Sequence, residues 1–211
     1  MKLYSYWRST TAYRVRAALN LKGLDYDIVP VDLVAGDQRS DAYTALNPGK
    51  GVPTLALDDG TVLTQSMAIL DYLDTVHPAP RLIPDDPMQR ARVMAAAHTV
   101  ALDIHPVNNL RVVQHLKATH GADDAAVRAW MQHWMQAGFA ALDPQLDDST
   151  TFAFGAAPDI ADLCIVAQLY NAKRWGVDMA PYPKLSRVDA ACLAHPAIAA
   201  AHPDQQPDAS A

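Results

Sequence analysis

Apolar and polar positions alternate with two different periods along the first 76 residues. Short segments alternate residue by residue, which is typical of strands, and the segments between them repeat their apolar positions at helical spacing. Asp58-Asp59-Gly60 separates two of the strand segments and is a hairpin signal. The predicted elements, in chain order, are strand Lys2–Tyr6, helix Thr11–Lys22, strand Tyr26–Val31, helix Gln38–Leu46, strands Pro53–Leu57 and Thr61–Leu63, and helix Thr64–Thr75.

The pattern changes at residues 77–87, where four prolines fall within ten residues. Neither a helix nor a central strand tolerates such a run, so we interpret this segment as a linker between two domains. The chain before it, residues 1–77, has the order β-α-β-α-β-β-α, which is a thioredoxin-like α/β pattern. The chain after it, residues 88–211, is rich in alanine and predicts an all-α domain.

Two motifs within the helical half predict structure and not chemistry. Asp159 and Asp162 have the spacing of a capping box at a helix start. Trp130 and Trp134 stand four residues apart on one helix, which indicates packing. The end of the chain, from His202, is expected to lie extended over the surface. The predicted helices cover about 88–117, 124–147, 159–175 and 184–194.

Composition excludes several classes of function. The net charge of -6 argues against a nucleic-acid partner, and no apolar run approaches the ~20 residues of a membrane span. Cys164 and Cys192 are too few and too distant for a disulfide scaffold or a CxxC motif, so buried, reduced thiols in a cytoplasmic protein are expected. All 23 acidic residues are aspartate, which excludes mechanisms that need a catalytic glutamate, including HExxH metalloproteases. No metal is expected.

A hydroxyl cluster, Ser9-Thr10-Thr11, lies between the first strand and the first helix. A helix start presents free N–H groups and the positive end of the helix dipole, and it therefore suits a thiolate or another small anion. Since no cysteine is nearby, the anion would arrive with a ligand, which indicates a thiol cofactor. The simpler interpretation is that these hydroxyls cap the helix, and the two roles are compatible.

Several short motifs run in order along essentially the whole chain, and their combination is specific. They are Arg8–Leu19, Ala45–Pro48, Val52–Leu55, Gln65-Ser66, Ala68-Ile69, Tyr72-Leu73, Asp103–Asn109, Pro181–Pro183 and Gln206–Asp208. The chain with these motifs resembles the zeta class of the cytosolic glutathione transferases. Thr10 and Thr11 stand where the class has serine and cysteine, and Tyr13 replaces its tryptophan. The segment from His105 to Arg111 is more similar to bacterial maleylpyruvate isomerases, because the maleylacetoacetate isomerases usually have glutamine at the first of these positions.

The resemblance implies that glutathione is the cofactor, bound largely by the first domain. Val52 would pair its backbone with the cysteinyl residue of glutathione, next to a cis Pro53. Gln65-Ser66 would bind the γ-glutamyl carboxylate, although alone this pair reads as an ordinary helix start. Ser9 is the expected donor to the thiolate, with Thr10 and Thr11 as unranked helpers. Further positions that match glutathione contacts are Gln38, His105, Asn109 and Arg111.

A set of cationic side chains would bind the carboxylates of a dianionic keto-acid. These are Arg8, His105, Arg111 and Arg174, which match positions of the isomerases. Taken singly, each of these side chains is more often a surface charge or a structural group. Arg14, Arg16 and Arg128 have no such match and are expected to be structural or solvated.

The implied reaction is the glutathione-dependent isomerisation of maleylpyruvate to fumarylpyruvate in the degradation of aromatic compounds. Maleylacetoacetate isomerisation in tyrosine catabolism is the close alternative, and transferase or dehalogenase chemistry on small α-halo acids is a third. A binding protein without activity is the non-enzymatic alternative, although Ser9 and the Arg/His set argue against it. The resemblance also implies a homodimer.

Overall fold

The structure, a computed structural model, describes residues 1–209. Its contacts divide the chain into two compact units, one formed by Met1–Leu82 together with the chain from Leu193 onward, and one formed by Ile83–Cys192. The expected domain boundaries around residues 77–87 stay a prediction. The predicted fold class, an α/β thioredoxin-like domain with an all-α domain, is confirmed.

The first unit is built on a four-stranded sheet with the order β2-β1-β3-β4. The strands are β1 (Lys2–Ser5), β2 (Asp27–Pro30), β3 (Thr54–Ala56) and β4 (Val62–Thr64). β1 runs parallel to β2 and antiparallel to β3, and β3 runs antiparallel to β4. The strand and helix order predicted for this part of the chain is therefore confirmed, with small shifts of the element ends.

Most helices lie close to their predicted positions. Two predicted helices differ more strongly, as described below; in addition, the helix predicted over 124–147 ends at Leu142, and the short helix Pro196–Ala200 was not predicted. In chain order the helices are α1 (Thr10–Leu21), α2 (Asp41–Leu46), α3 (Ser66–Val76), α4 (Pro87–His98), α5 (Leu110–His120), α6 (Asp124–Leu142), α7 (Ile160–Arg174), α8 (Pro183–Ala194) and α9 (Pro196–Ala200). Single 3₁₀ turns cover Asp37–Arg39, Pro106–Asn108, Asp143–Gln145 and Pro203–Gln205, and a π-helix covers Thr99–Ile104.

The prediction of one helix over Gln38–Leu46 is wrong at its start. Ser40 has an extended backbone there, and its hydroxyl accepts a hydrogen bond from the backbone N–H of Tyr43, so α2 begins after it. The prediction of one helix over 88–117 is also wrong. The π-helix and a 3₁₀ turn interrupt it, and Asn109 caps the new helix α5.

The prediction of an extended surface tail from His202 is wrong as well. The chain forms α9, which packs on α1, and then the 3₁₀ turn Pro203–Gln205. Ala201 and Gln206 are buried, and the Gln206 amide donates to the Ala200 and His202 carbonyls. Arg16 of α1 donates through Nε to the Ala201 carbonyl. The described residues from α9 onward therefore belong to the first unit, and Ile198 and Ala201 lie in its core.

Helix α1 forms the centre of the first unit. Its residues from Ala12 to Leu19 are all buried, and this run includes two arginines. Arg14 and Arg16 were predicted to be either structural or solvated. They are 1% and 0% exposed, which excludes the solvated alternative. Arg16 donates to the Ser5 hydroxyl and to the carbonyls of Trp7 and Ala201, which accounts for its place in the core.

Helix α7 has the same central role in the second unit. The predicted capping box is present at its start, because Asp159 accepts from the Asp162 backbone and Asp162 accepts from the Asp159 backbone. Cys164 and Cys192 are buried free thiols, as predicted. Among residues 1–209, no helix combines the length and apolar character that crossing a membrane requires.

Candidate active site

Ser9 and Thr11 form a short chain of hydroxyl groups at the start of α1. The Thr11 Oγ1 donates to the Val52 carbonyl oxygen at 2.8 Å, and it lies 2.9 Å from the Ser9 Oγ. Because the Thr11 proton goes to Val52, the proton between the two hydroxyls belongs to Ser9. Ser9 also caps α1, since its Oγ accepts from the Ala12 backbone N–H at 3.2 Å. Thr10 is buried, so Ser9 and Thr11 are the more accessible hydroxyls of the cluster.

The segment before β3 holds the Val52 backbone in place. The Val52-Pro53 peptide bond is cis, as the resemblance implied. The side chains of Tyr43 and Asn47 both donate to the Gly51 carbonyl oxygen, and both contact the Thr54 hydroxyl. Helix α2 therefore positions this segment, which explains the Asn47 of the Ala45–Pro48 motif.

Helix α3 begins at Ser66 without a capping side chain. Gln65 precedes it with a φ of 69°, in the left-handed region that non-glycine residues rarely adopt. Such strain is found mostly at functional sites. No acidic residue stands in the first turn, so no side-chain charge from that turn offsets the positive end of the helix dipole, which favours an anionic ligand there.

Gln38 lies in the 3₁₀ turn before α2, and the structure buries it. It is 6% exposed, and its Nε2 donates to the Leu33 carbonyl at 3.3 Å. Its Oε1 accepts no hydrogen bond from the described residues. The expected contact between Gln38 and glutathione stays a prediction.

Two aromatic residues hold the guanidinium of Arg8. Its central carbon lies 4.7 Å from the centroid of the Trp7 ring, and Nη2 donates to the Tyr6 hydroxyl at 2.9 Å. The Trp7 backbone N–H in turn donates to Asp208 at 2.9 Å. Sequence reasoning missed Tyr6 and Trp7, although their position directly before Arg8 was a usable signal.

In the second unit, His105 follows the π-helix directly. Its Nε2 lies 3.4 Å from the Asn109 Nδ2, and Asn109 also caps α5 by accepting from the Arg111 backbone at 3.1 Å. Helical π segments are rare and occur frequently at functional sites. Trp130 was expected only to pack, but its indole also donates to the Val107 carbonyl at 2.9 Å and so holds the turn after His105.

The two remaining arginines are exposed at helix ends. Arg111 lies in the first turn of α5, and Arg174 is the last residue of α7. Arg174 donates to the Asn171 side chain at 3.2 Å and lies over the Tyr170 ring. The structure thus joins His105 to Asn109 directly, whereas Arg174 stands on a different helix of the same unit.

Comparison with known proteins places these features in a family. Residues 8–76 match the family described as glutathione S-transferase, N-terminal domain. The chain is 46% identical to the maleylacetoacetate isomerase of Pseudomonas aeruginosa over 213 residues, covering 100% of both chains. A holo structure of a maleylpyruvate isomerase, a bacterial glutathione S-transferase of the zeta class, superposes with a TM-score of 0.96 at 44% identity over 99% of each chain.

A third similar protein was solved with ligands. It is a maleylacetoacetate isomerase from Anaeromyxobacter dehalogenans with bound dicarboxyethyl glutathione and citrate in its active site. The TM-score is 0.88 and the identity 44%, over 99% of this chain and 93% of that chain.

Proposed function

Because the chain belongs to the zeta class of the glutathione S-transferase family, as its motifs predict, we propose that it isomerises a maleyl keto-acid with glutathione as cofactor. Maleylpyruvate is the proposed substrate and fumarylpyruvate the product. The observation that carries this proposal is the hydroxyl pair at the start of α1. Thr11 donates its proton to the Val52 carbonyl, so the Ser9 proton, which is directed to the Thr11 oxygen in this structure, is the one that can turn to a thiolate.

The residues of the first unit fit glutathione in three respects. The Ser9 hydroxyl can turn its proton from Thr11 to a sulfur, Val52 precedes a cis proline, and no side chain caps the N-terminus of α3, where a carboxylate would bind. When bound, glutathione supplies a thiolate that adds reversibly to the alkene, so that the double bond becomes a rotatable single bond until the thiolate leaves again. Ser9 and the start of α1 stabilise the thiolate and so lower the pKa of the thiol.

The cationic residues then bind and orient the substrate. We assign the carboxylates of the keto-acid to Arg8, Arg111 and Arg174, because a planar guanidinium binds a carboxylate with two parallel hydrogen bonds. Arg8 is held against the Trp7 ring, which restricts its motion before the substrate arrives. His105, held by Asn109, is assigned to the carbonyl side of the substrate or to glutathione. The remaining proposed glutathione contacts are Thr10, Gln38, Pro53, Gln65, Ser66, Asn109 and Arg111.

Maleylacetoacetate is the second candidate substrate. It is favoured by the Pseudomonas aeruginosa relative, which carries the name of that activity at 46% identity. The His105-to-Arg111 segment favours maleylpyruvate. A comparison of kcat/KM for the two keto-acids, each with and without glutathione, separates them. We expect turnover of maleylpyruvate to be the faster and to require glutathione, and equal turnover without glutathione would overturn the proposal.

We also propose that the protein is a cytoplasmic homodimer. The two buried free thiols are consistent with a reducing compartment, and the homodimer is what the resemblance to the zeta class implies. Light scattering coupled to gel filtration measures the mass directly. A mass near twice 22.9 kDa is expected, and a mass of one chain at micromolar concentration would contradict the dimer.

A further inference from the structure

Arg14 is a buried cation with unused hydrogen-bond donors. It is 1% exposed, and its Nη1 donates to the Ser66 hydroxyl oxygen at 3.3 Å. Its Nε and Nη2 have no hydrogen-bond partner among the described residues. Its neighbour Arg16 is equally buried but donates to the Ser5 hydroxyl and to backbone carbonyls. Packing alone therefore does not explain why a guanidinium stands at position 14.

A buried charge without an anionic partner is costly, and the cost falls when an anion binds nearby. The contact of Arg14 shows where such an anion would lie. Ser66 is the first residue of α3, an 11-residue helix whose N-terminus has no capping side chain and no acidic residue. The positive end of the α3 dipole and the charge of the buried guanidinium therefore both favour an anion next to Ser66. A carboxylate fits this point, because it accepts hydrogen bonds from a hydroxyl and from backbone N–H groups.

The direction of the hydrogen bond between Arg14 and Ser66 determines where the Ser66 hydroxyl proton points. Because Ser66 Oγ accepts from Arg14 Nη1, its own proton is directed away from the arginine. No described residue accepts that proton. A carboxylate at the start of α3 would accept it, and the chain from guanidinium to hydroxyl to carboxylate would then be complete.

We propose that Arg14 is a positioning residue for glutathione, and that it holds the γ-glutamyl carboxylate at the start of α3 through the Ser66 hydroxyl. This inference rests on the proposed function, since it takes glutathione as the ligand. Arg14 does not touch the carboxylate. Its buried charge polarises the Ser66 hydroxyl and fixes its orientation, so the effect belongs to binding and not to the reaction at the sulfur.

The test compares two ligands on the full chain by isothermal titration calorimetry. The first is glutathione, and the second is 4-aminobutanoyl-Cys-Gly, which is glutathione without the γ-glutamyl carboxylate. In Arg14→Met, we expect the Kd for glutathione to rise ~10- to 100-fold, because a charge-assisted interaction is lost. The Kd for the second ligand should change little. In isomerase assays, the KM for glutathione should rise while kcat at saturating glutathione stays close to that of the wild type.

Three variants make the outcome decisive. Arg14→Lys keeps the charge and should retain most of the preference for glutathione. Ser66→Ala removes the connecting hydroxyl and should lose that preference even if Arg14→Met does not fold. Arg16→Lys, a matched change at the other buried arginine, should lower the thermal stability without changing the ratio of the two Kd values.

An equal loss of affinity for both ligands in Arg14→Met, or full preference retained in Ser66→Ala, would overturn the role of Arg14. Either result can occur in an enzyme that still isomerises maleylpyruvate with glutathione. Conversely, normal ligand preference without any isomerase activity would contradict the proposed function and leave the role of Arg14 intact.

Discussion

Ser9 has two separable roles, one in stability and one in catalysis. Its hydroxyl oxygen caps α1 through the Ala12 N–H, and its proton lies toward Thr11. In Ser9→Ala, we expect the free energy of unfolding to fall by about 1 kcal/mol and kcat/KM to fall by ~10²-fold, because a cap and a thiolate donor are both lost. Urea denaturation and the isomerase assay measure the two effects.

Ser40 offers the matched control for this change. It caps α2 in the same manner, by accepting from the Tyr43 N–H at 3.3 Å, and it belongs to no proposed site. Ser40→Ala should therefore lose similar stability and keep full activity. Full activity in Ser9→Ala would remove Ser9 from the mechanism.

Asp162 gives the stability of the protein a predictable pH dependence. Desolvation by burial raises the pKa of Asp162 from 3.8 to about 6, against the lowering effect of its backbone hydrogen bonds. Burial and the neighbouring carboxylate raise the pKa of Asp159 as well. A carboxyl with a higher pKa in the folded chain binds its proton more tightly there than in the unfolded chain. Its contribution is therefore complete below pH 4 and is lost as the pH rises through 6.

For Asp162→Asn, we expect a smaller fall in the free energy of unfolding between pH 4 and pH 8 than in the wild type. The wild type should lose on the order of 2 to 3 kcal/mol more of its free energy of unfolding over this pH range than the variant does, since one pKa unit corresponds to about 1.4 kcal/mol. Urea denaturation at several pH values measures it. Parallel pH profiles for the two proteins would contradict the assignment, whatever their absolute stabilities.

At the scale of elements, the π-helix Thr99–Ile104 depends on a close approach to α6. A Cβ at Gly138 would overlap the side chain of Ile104, which is 1% exposed. Gly138→Ala should therefore destabilise the protein by about 1 to 3 kcal/mol, although alanine is the better helix former. It should also lower the isomerase activity, because His105 follows Ile104 directly.

Ala137→Gly, at the exposed neighbouring position, measures the helix-propensity part alone and should cost about 0.5 to 1 kcal/mol. Thermal denaturation of the two variants decides between the effects. Increased stability in Gly138→Ala would show that the two helices separate easily, which contradicts the close packing.

The elements of the first unit could be predicted because their signals are local. Alternation, helical spacing and the Asp58-Asp59-Gly60 turn define them within a few residues. The interruption between α4 and α5 was not predicted, since a π-helix keeps the same apolar composition as an α-helix. Pro106 was the available signal, because it donates no hydrogen bond within a helix.

Side-chain partners could be predicted only where a motif fixes them. The Asp159–Asp162 box has a fixed spacing and was predicted correctly. The burial of Arg14 and the donation from Trp130 to Val107 depend on tertiary packing, which a sequence pattern does not carry. The roles of the site residues came from the resemblance and stay predictions. The cis Val52-Pro53 bond, which the resemblance also implied, is confirmed.

At the scale of the whole molecule, the end of the chain returns to the first residues of the first unit. Asp208 accepts from the Trp7 backbone N–H and so fixes the segment that carries Arg8. This contact could not be predicted from the sequence, because Asp208 belongs to a short, polar tail with two prolines whose pattern specifies no partner. A contact across 201 residues of sequence thus supports a residue of the candidate site.

In Asp208→Ala, we expect a loss of about 1 to 3 kcal/mol, because a part-buried N–H loses its acceptor. The KM for the keto-acid should rise as Arg8 becomes mobile. Asp208→Asn retains an acceptor oxygen and should be milder, and the exposed Asp204→Ala serves as control. Unchanged stability and KM in Asp208→Ala would contradict the proposed support of Arg8.

The central claim is that glutathione acts as a cofactor that is regenerated in every turnover. Proton NMR of maleylpyruvate with the enzyme and a small, substoichiometric amount of glutathione tests it most directly, because the cis and trans alkene protons and the glutathione signals are resolved together. We predict complete conversion to fumarylpyruvate with the glutathione signals unchanged at the end. Conversion that stops when glutathione is consumed, or that proceeds without it, would contradict the account.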